Sequence, residues 1–405
     1  MRILINGTNY HPEKIGIGKY TGEMAEWLAA QGHEVRVVTA PPYYPEWEIG
    51  QGYSAWLYKR EFLAGVDVWR CPLWVPKKPS GLKRILHLAS FALSCLPVML
   101  RQVFWKPDVV LVIEPPLMCA PIVWLTAKLC GAKSWLHIQD FEVDAAFDMA
   151  ILQSPWMRRF ALWCESQLMY RFDRISTISP KMLDKIIGKS IAPSKTYLFQ
   201  NWVDTSSIFP MELSSAFRAE LGIAGDKVVA LYSGNMGEKQ GLEVVVDAAR
   251  RMAHLNVVQF VLCGDGAAKV RLQEYAVGLS NIIWIPLQPI ERLNELLNLA
   301  DVHLLPQRAD VADLLMPSKL LGMLASGRPI LATAFTDTQV GQLVSTCGEL
   351  SPPGDAIAFS DALKRLADNP VARNLLGKKG RAIAESDFGH EAVLSHLERE
   401  LSFLP

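Results

Sequence analysis

Three kinds of residue in this chain could handle charge: glycines behind apolar strands, a lysine opening a helix, and a histidine closing a strand. The stretch NYHPEKIGIGKYTGEMAEWLAAQGHEVRVVTA, Asn9 to Ala40, follows the apolar strand Ile3-Leu4-Ile5, with Gly16 and Gly18 opening the next helix. A dinucleotide fingerprint needs Gly-x-Gly-x-x-Gly directly after the strand and an acid on the second strand for the ribose. Here the third glycine is displaced to Gly22, and the second strand runs out as VVTAPPYYP with no acid. The loop is also roughly 10 residues too long. A bound nicotinamide or flavin is therefore not expected. The bare N–H groups at Gly16 to Lys19 form either a site for a phosphate or sugar hydroxyl, or a simple tight turn into the helix.

A second glycine loop, Gly234-Asn235-Met236-Gly237, follows the strand KVVALYS and precedes a helix expected near Gly241. Its amides could cradle a diphosphate. Lys239 is the cation in that loop, either a phosphate ligand or a solvated lysine. Ser318 and Lys319 open a later helix behind Pro317. Ser318 reads as its N-cap. Lys319 opposes the helix dipole, a conflict that a bound anion would resolve.

His137 closes the strand SWLHIQ and reads as a cleft-facing ligand or a satisfied core histidine; Asp140 and Glu142 follow it. The two acids could hold acceptor hydroxyls or cap the next element. Gly264-Asp265-Gly266 is a strand-end turn, and Gln307 and Arg308 lie just past another strand end, as base or phosphate contacts. No Asp-x-Asp flanked by apolar residues occurs, and DFEVD makes no convincing divalent site, so no metal is expected.

The elements that must position these groups alternate strand and helix throughout. RILIN, EVRVVTA, DVVLVIE, SWLHIQ, RISTIS and KTYLFQN read as buried parallel strands. After a turn-rich break, Asn201 to Lys227, the alternation restarts with KVVALYSG, VVQFVLCGDG, NIIWIPL, DVHLLP and PILATA. The expected fold is α/β: two Rossmann-like, doubly wound domains facing across a cleft, over 1–205 and 206–385. A last helix over 386–405 is placed to pack back on the first domain.

The chain has 405 residues, with Lys plus Arg equal to Asp plus Glu, so no global basic field invites nucleic acid. Seven cysteines at wide spacings, without Cys-x-x-Cys, read as buried reduced thiols of a cytoplasmic protein. A strand begins at once, so no signal peptide is expected. The run Ile85 to Leu100 contains His87 and Pro97 and is shorter than the ~20 residues that span a bilayer. Ten of the twelve tryptophans fall within the first 163 residues, and Lys77, Lys78, Lys83 and Arg84 precede the apolar run. PWMRRFALW, Pro155 to Trp163, repeats the mixture. Cations beside aromatic and aliphatic side chains suit a helix lying in a membrane interface. The other reading is a buried helix flanked by solvated lysines.

In order, the glycine loop, LAAQGHEV, HIQD, ISTIS, QNWVD, YSGNMGEKQGLE, LCGDG and MPSKLLGMLASGRPILAT resemble the two-domain GT-B glycosyltransferases of the large retaining family, over essentially the whole chain. The wording is most similar to the family's enterobacterial colanic acid fucosyltransferases. That resemblance implies transfer of L-fucose from GDP-fucose to a polyprenyl-diphosphate-linked saccharide, with retention, by a peripheral protein on the inner face of the cytoplasmic membrane. It implies donor contacts from Gly16, Gly18, Gly234, Asn235, Lys239, Ser318 and Lys319 to the diphosphate, and from Gly264, Arg308 and Asp313 to sugar or nucleotide. His137 and Asp140 would serve at the reacting centre. The family's loop carries Arg or Lys after the glycine and Lys before the later one; here those places hold Asn235 and Gln240. Its two glutamates, eight positions apart, fall on Leu314 and Gly322, leaving Asp313 or Asp310 to supply a carboxylate. Rival readings are a UDP-linked N-acetylated sugar as donor, a sugar-nucleotide epimerase and a non-catalytic scaffold.

Overall fold

The structure is a computed structural model that describes residues 1–78, 80–143, 155–212, 215–309 and 317–404. The chain forms two compact units, the first Met1–Asn201 with Leu394–Pro405 and the second Trp202–Val393.

Unit 1 is built on eight strands: β1 (Arg2–Asn6), β2 (Glu34–Thr39), β3 (Lys59–Leu63), β4 (Val66–Arg70), β5 (Val109–Glu114), β6 (Lys133–Ile138), β7 (Arg174–Thr177) and β8 (Thr196–Leu198). Their order is β3-β4-β2-β1-β5-β6-β7-β8. All pairs are parallel except the hairpin β3–β4, which turns at Ala64 and Gly65, both with positive φ. Ile5 pairs with Val37 on one side and Leu111 on the other, so β1 is central. Every residue of β5, VVLVIE, is buried, as a strand covered on both faces requires.

The helices of unit 1 are α1 (Gly16–Ala30), α2 (Gly81–Gln102), α3 (Ala120–Cys130), α4 (Pro155–Met169) and α5 (Pro180–Gly188). Ser179 caps α5 by accepting from the Met182 amide. Helix α2 is longer than the sequence reading, because Gly81 to Arg84 join it. With the turn to Trp105 it is long and apolar enough, by length and composition, to cross a bilayer. One face packs on the core through His87, Phe91, Cys95, Val98 and Met99. The other leaves Leu82, Leu86, Leu93, Leu96 and Leu100 exposed.

Unit 2 carries β9 (Val228–Ser233), β10 (Val258–Cys263), β11 (Ile282–Ile285), β12 (Val302–Leu305), β13 (Ile330–Thr333) and β14 (Gly348–Ser351). The order is β11-β10-β9-β12-β13-β14, all parallel. Around it run α6 (Ala216–Glu220), α7 (Glu243–Met252), α8 (Lys269–Tyr275), α9 (Leu293–Leu297), α10 (Ser318–Ala325), α11 (Gln339–Cys347), α12 (Ala356–Asp368) and α13 (Pro370–Asp387). Tyr232, Phe260, Leu304, Leu331 and Phe359 centre the core between sheet and helices. The last helix, α14 (His390–Ser402), ends in unit 1, where Glu398 lies 3.0 Å from His33 Nε2 and Glu400 3.0 Å from Arg174.

The two Rossmann-like sheets agree with the sequence reading of the fold class. β3, β4 and β14 were not expected. Five of the seven cysteines are buried, but Cys130 is half-buried and Cys164 exposed, because the latter lies on the outward side of α4.

Candidate nucleotide-sugar site

In unit 2 the carboxyl ends of β9, β10 and β12 meet the first turn of α10. The chain leaves β9 at Gly234, where φ is 136°, a region open to glycine and strained for other residues. Gly264 has φ 153°, and a Cβ there would lie 1.9 Å from the Gly234 carbonyl oxygen. A Cβ on Gly266 would fall 2.5 Å from Asn235 Oδ1 and 2.6 Å from the Met236 carbonyl. These glycines therefore let two loops interlock. The Met236 amide donates to Asp265 O at 2.8 Å, the Ala268 amide to Met236 O at 2.9 Å, and the Tyr232 hydroxyl to Asn235 O at 2.5 Å.

On the β12 side, the Arg308 amide donates to Lys239 O at 3.3 Å. Arg308 Cγ lies 3.1 Å from where a Cβ on Gly241 would stand, and Gly241 has φ 60°. Gln307 is held by the Thr333 hydroxyl at 2.6 Å. The side chain of Lys239 is exposed. The helix expected near Gly241 is α7, entered through a short turn, Glu238–Gln240.

Lys319 closes the group. Its Cδ lies 3.6 Å from the Cβ position of Gly234, and its Nζ sits 4.3 Å above the Tyr232 ring. That nitrogen is buried and, among the described residues, has no hydrogen-bond partner. Burial pulls its pKa down from 10.5 to about 7. Helix α10 adds no compensation among the described residues: its N-cap, Pro317, provides no side-chain cap, and its first turn holds no acid. A desolvated cation beside unspent helix amides is costly alone and favourable around an anion.

The N-cap assignment of Ser318 is corrected. Ser318 is the first helical residue and is exposed; Pro317, in extended backbone at φ −64° and ψ 125°, takes the cap position before it. Gly322, where the resemblance calls for a glutamate, is a packing residue. A Cβ there would meet Leu297 Cδ1 at 3.3 Å and Ile208 Cδ1 at 3.7 Å. Asp310, Asp313 and Leu314 lie outside the described residues.

In unit 1 the loop after β1 leads into α1, which opens at Gly16 with φ 61° and whose N-cap, Ile15, offers no side-chain acceptor. Gly18 has a steric reason of its own, since a Cβ would fall 2.5 Å from Glu13 Oε2. His137, at the end of β6, is 1% exposed. Its Nδ1 lies 2.8 Å from Ser176 Oγ and its Nε2 3.0 Å from Gln139 Nε2. Gln139 in turn pairs amide to amide with Asn201, at 3.1 and 3.3 Å. Gln139 donates to Nε2, which places the ring proton on Nδ1 toward Ser176. Burial lowers the His137 pKa to about 3, so the ring is neutral. Both nitrogens are thus occupied, and Gln139 rather than His137 carries the network outward.

Asp140, next along the chain, is exposed. Glu142 accepts from the Leu117 amide at 2.7 Å, which makes it the cap of the turn after β5. Sequence reasoning missed Glu114 at the end of β5: burial, then the neighbouring Glu165 and Glu142, raise its carboxyl well above the usual range. It also missed Gln139 and Glu13, both within stretches that had been singled out for other residues.

Comparison with known proteins places these loops in a family. Residues 16–202 match the model for the glycosyl transferase 4-like domain, and residues 227–369 that for glycosyl transferases group 1. The chain is 46% identical over 353 residues to WcaI of Escherichia coli (strain K12), covering 85% of this chain and 86% of that one; its given name provisionally assigns it to colanic acid biosynthesis as a glycosyl transferase. Among solved structures, a sucrose-phosphate synthase from Thermosynechococcus elongatus superposes with a TM-score of 0.73 at 19% identity, over 99% of both chains. Anabaena HepE in complex with UDP superposes with a TM-score of 0.70 at 14% identity, over 99% of this chain and 100% of that one. With both halves matched and 46% identity to WcaI over 353 residues, the chain belongs to the GT-B glycosyltransferases of group 1.

Proposed function

We propose that this glycosyltransferase acts in colanic acid biosynthesis, moving L-fucose from GDP-fucose to a polyprenyl-diphosphate-linked saccharide with retention of configuration. The observation that carries the reading is Lys319: an ammonium buried without a hydrogen-bond partner among the described residues, set among glycine amides at the end of a parallel sheet. Breaking the bond from the sugar C1 to a diphosphate builds negative charge on the departing oxygens. Preorganised cations and N–H dipoles lower that barrier most when they need not rearrange. Lys319, the amides at Gly234 and Asn235, and the first turn of α10 with Ser318 receive the diphosphate in this reading. Lys239, Gly264, Arg308 and Asp313 complete the donor side. Gly16, Gly18 and Asp140 serve in unit 1, and His137 acts there by holding Gln139. In a retaining transfer of this kind the leaving phosphate oxygen takes the acceptor's proton, so no glycosidase-like carboxylate pair is needed.

The identity with WcaI supports the colanic acid setting. The surface of unit 1 supports a membrane-borne acceptor. Trp56, Leu57 and the outer leucines of α2 are exposed, as are Trp156, Phe160 and Trp163 on α4. The Tyr58 hydroxyl donates to Ser94 O at 2.9 Å, which ties the Trp56–Tyr58 stretch to α2. A peripheral site on the inner face of the cytoplasmic membrane follows in this reading.

The test is a mass-spectrometric transfer assay with a polyprenyl-diphosphate saccharide and, in parallel, GDP-fucose and UDP-linked N-acetylated sugars. Fucose transfer from GDP-fucose supports the proposal. Transfer from a UDP-sugar alone removes the fucose assignment, isomerisation without acceptor points to an epimerase, and silence with every donor to a scaffold.

A further inference from the structure

Glu13 is a buried acid with a role that the sugar-transfer reading does not use. It lies in the loop between β1 and α1 and is 4% exposed. Among the described residues it forms no ion pair; three N–H groups serve it instead. Oε1 accepts from the Tyr43 and Tyr44 amides, each at 3.0 Å, and Oε2 from Asn9 Nδ2 at 2.8 Å. Tyr43 and Tyr44 belong to the segment after β2, thirty residues downstream. Burial raises the carboxyl's pKa, and the bonds from Tyr43, Asn9 and Tyr44 act against that. The glycine at position 18 leaves room for this side chain, since a Cβ there would fall 2.7 Å from Glu13 Cβ as well as against its carboxylate.

A second buried group joins the same two segments. Arg70, at the end of β4, donates to His11 O at 2.5 Å and to Ala40 O at 3.0 Å, and its Nε to Glu61. The segment after β1 is thus fastened to the segment after β2 at one place by a carboxylate reading amides and at another by a guanidinium reading carbonyls. Burying a carboxylate without a directly paired cation is unfavourable; the Arg70 charge acts on Glu13 from farther off, and charge-assisted bonds from three rigidly held N–H groups offset the cost only while both segments keep their spacing. Such an arrangement penalises any drift of either segment.

We propose that Glu13 is a positioning residue for the acceptor. By joining Asn9 to Tyr43 and Tyr44, it makes the segments at the carboxyl ends of β1 and β2 one rigid rim that holds the saccharide. The assignment rests on the reading of unit 1 as the acceptor side. Glutamine at position 13 preserves the accepting oxygen for both tyrosine amides, and Asn9 can turn its amide to meet the new NH2. Alanine removes all three bonds.

The experiment compares Glu13→Gln, Glu13→Ala and Asn9→Ala by amide hydrogen exchange without substrate, and by steady-state transfer with donor and acceptor varied separately. The expected result is faster exchange at Tyr43 and Tyr44 in Glu13→Ala, by about tenfold or more. Its acceptor KM rises about tenfold, while donor KM and kcat stay within about twofold, and Glu13→Gln restores both readouts. Asn9→Ala moves in the same direction by a smaller factor. Unchanged exchange at Tyr43 and Tyr44 in Glu13→Ala overturns the proposal, as does a loss confined to kcat. Should Glu13→Ala fail to fold, Asn9→Ala with wild-type exchange and acceptor KM overturns it equally. An inactive wild type whose exchange still depends on Glu13 upholds the tie and removes only the transfer reading.

Discussion

The Lys319 ammonium stands 4.3 Å above the Tyr232 ring and, among the described residues, has no hydrogen-bond partner, so the face of that aromatic ring is what it meets there. A cation–π contact compensates a buried charge only in part. Lys319→Met is therefore expected to leave the empty protein as stable or more so, and to lower kcat/KM by roughly 100-fold or more. Thermal unfolding and single-donor kinetics check the two halves separately. A variant that loses stability and keeps activity would reassign Lys319 to the core.

The same lysine sets a pH signature. Its folded pKa is about 7 against an ordinary 10.5, so between those values the unfolded chain holds a proton that the folded chain lacks. Stability then rises with pH across that window, by on the order of a few kcal/mol, and the penalty is full below pH 7. Denaturant titrations at pH 6.5 and 9.5 should show the rise in wild type and lose it in Lys319→Met. A saturating nucleoside diphosphate should flatten it, because a bound anion restores the proton.

Gly264→Ala would drive a methyl group to 1.9 Å from the Gly234 carbonyl, with backbone and no flexible side chain in the way. The interlocked loops must part. A loss of at least ~2 kcal/mol is expected, read as a fall in Tm of roughly 5 °C, together with weakened nucleotide binding. Unchanged calorimetry would show that the loops adapt.

The pH–rate profile should carry no limb from His137, whose ring is neutral down to about pH 3. His137→Phe keeps the apolar contact with Phe199 but takes one hydrogen bond each from Gln139, which still pairs with Asn201, and Ser176, which still accepts from Trp135 Nε1. Activity is expected to fall by about tenfold or more, and Gln139→Ala to reproduce most of that fall. Wild-type activity in Gln139→Ala would reduce the network to packing.

Leu93 is 72% exposed and Phe104 88% exposed on the outer side of α2 and the turn after it. Leu93→Asp with Phe104→Asp should cut binding to vesicles containing anionic lipid by about tenfold and leave the circular dichroism unchanged. Wild-type binding should weaken as salt rises, because Lys83 and Arg84 are exposed at the start of the same helix. Equal vesicle binding by the variant would move the membrane contact elsewhere.

The local patterns were readable from the residues alone. Apolar runs bounded by glycine marked the central strands of both sheets, and Lys319 in a first helical turn already conflicted with the helix dipole. KREFL was not legible as a strand, because it is an edge strand with charges on it, stabilised by its partner VDVWR and by the turn at Ala64 and Gly65. Gly348 to Ser351 is similarly short and polar, and pairs only because β13 is there to receive it.

By itself the sequence determined the order of the central strands, the two α/β sheets and the family, since periodicity, glycine placement and motif order are properties of neighbouring residues. Tertiary structure decided which groups are desolvated and which are already partnered. It buried the nitrogen of Lys319, filled both nitrogens of His137, turned Gly322 toward Leu297 and gave Glu13 two amides from a distant segment. Solvation and hydrogen bonding depend on atoms brought together from far along the chain, so no local reading of residue types could assign them.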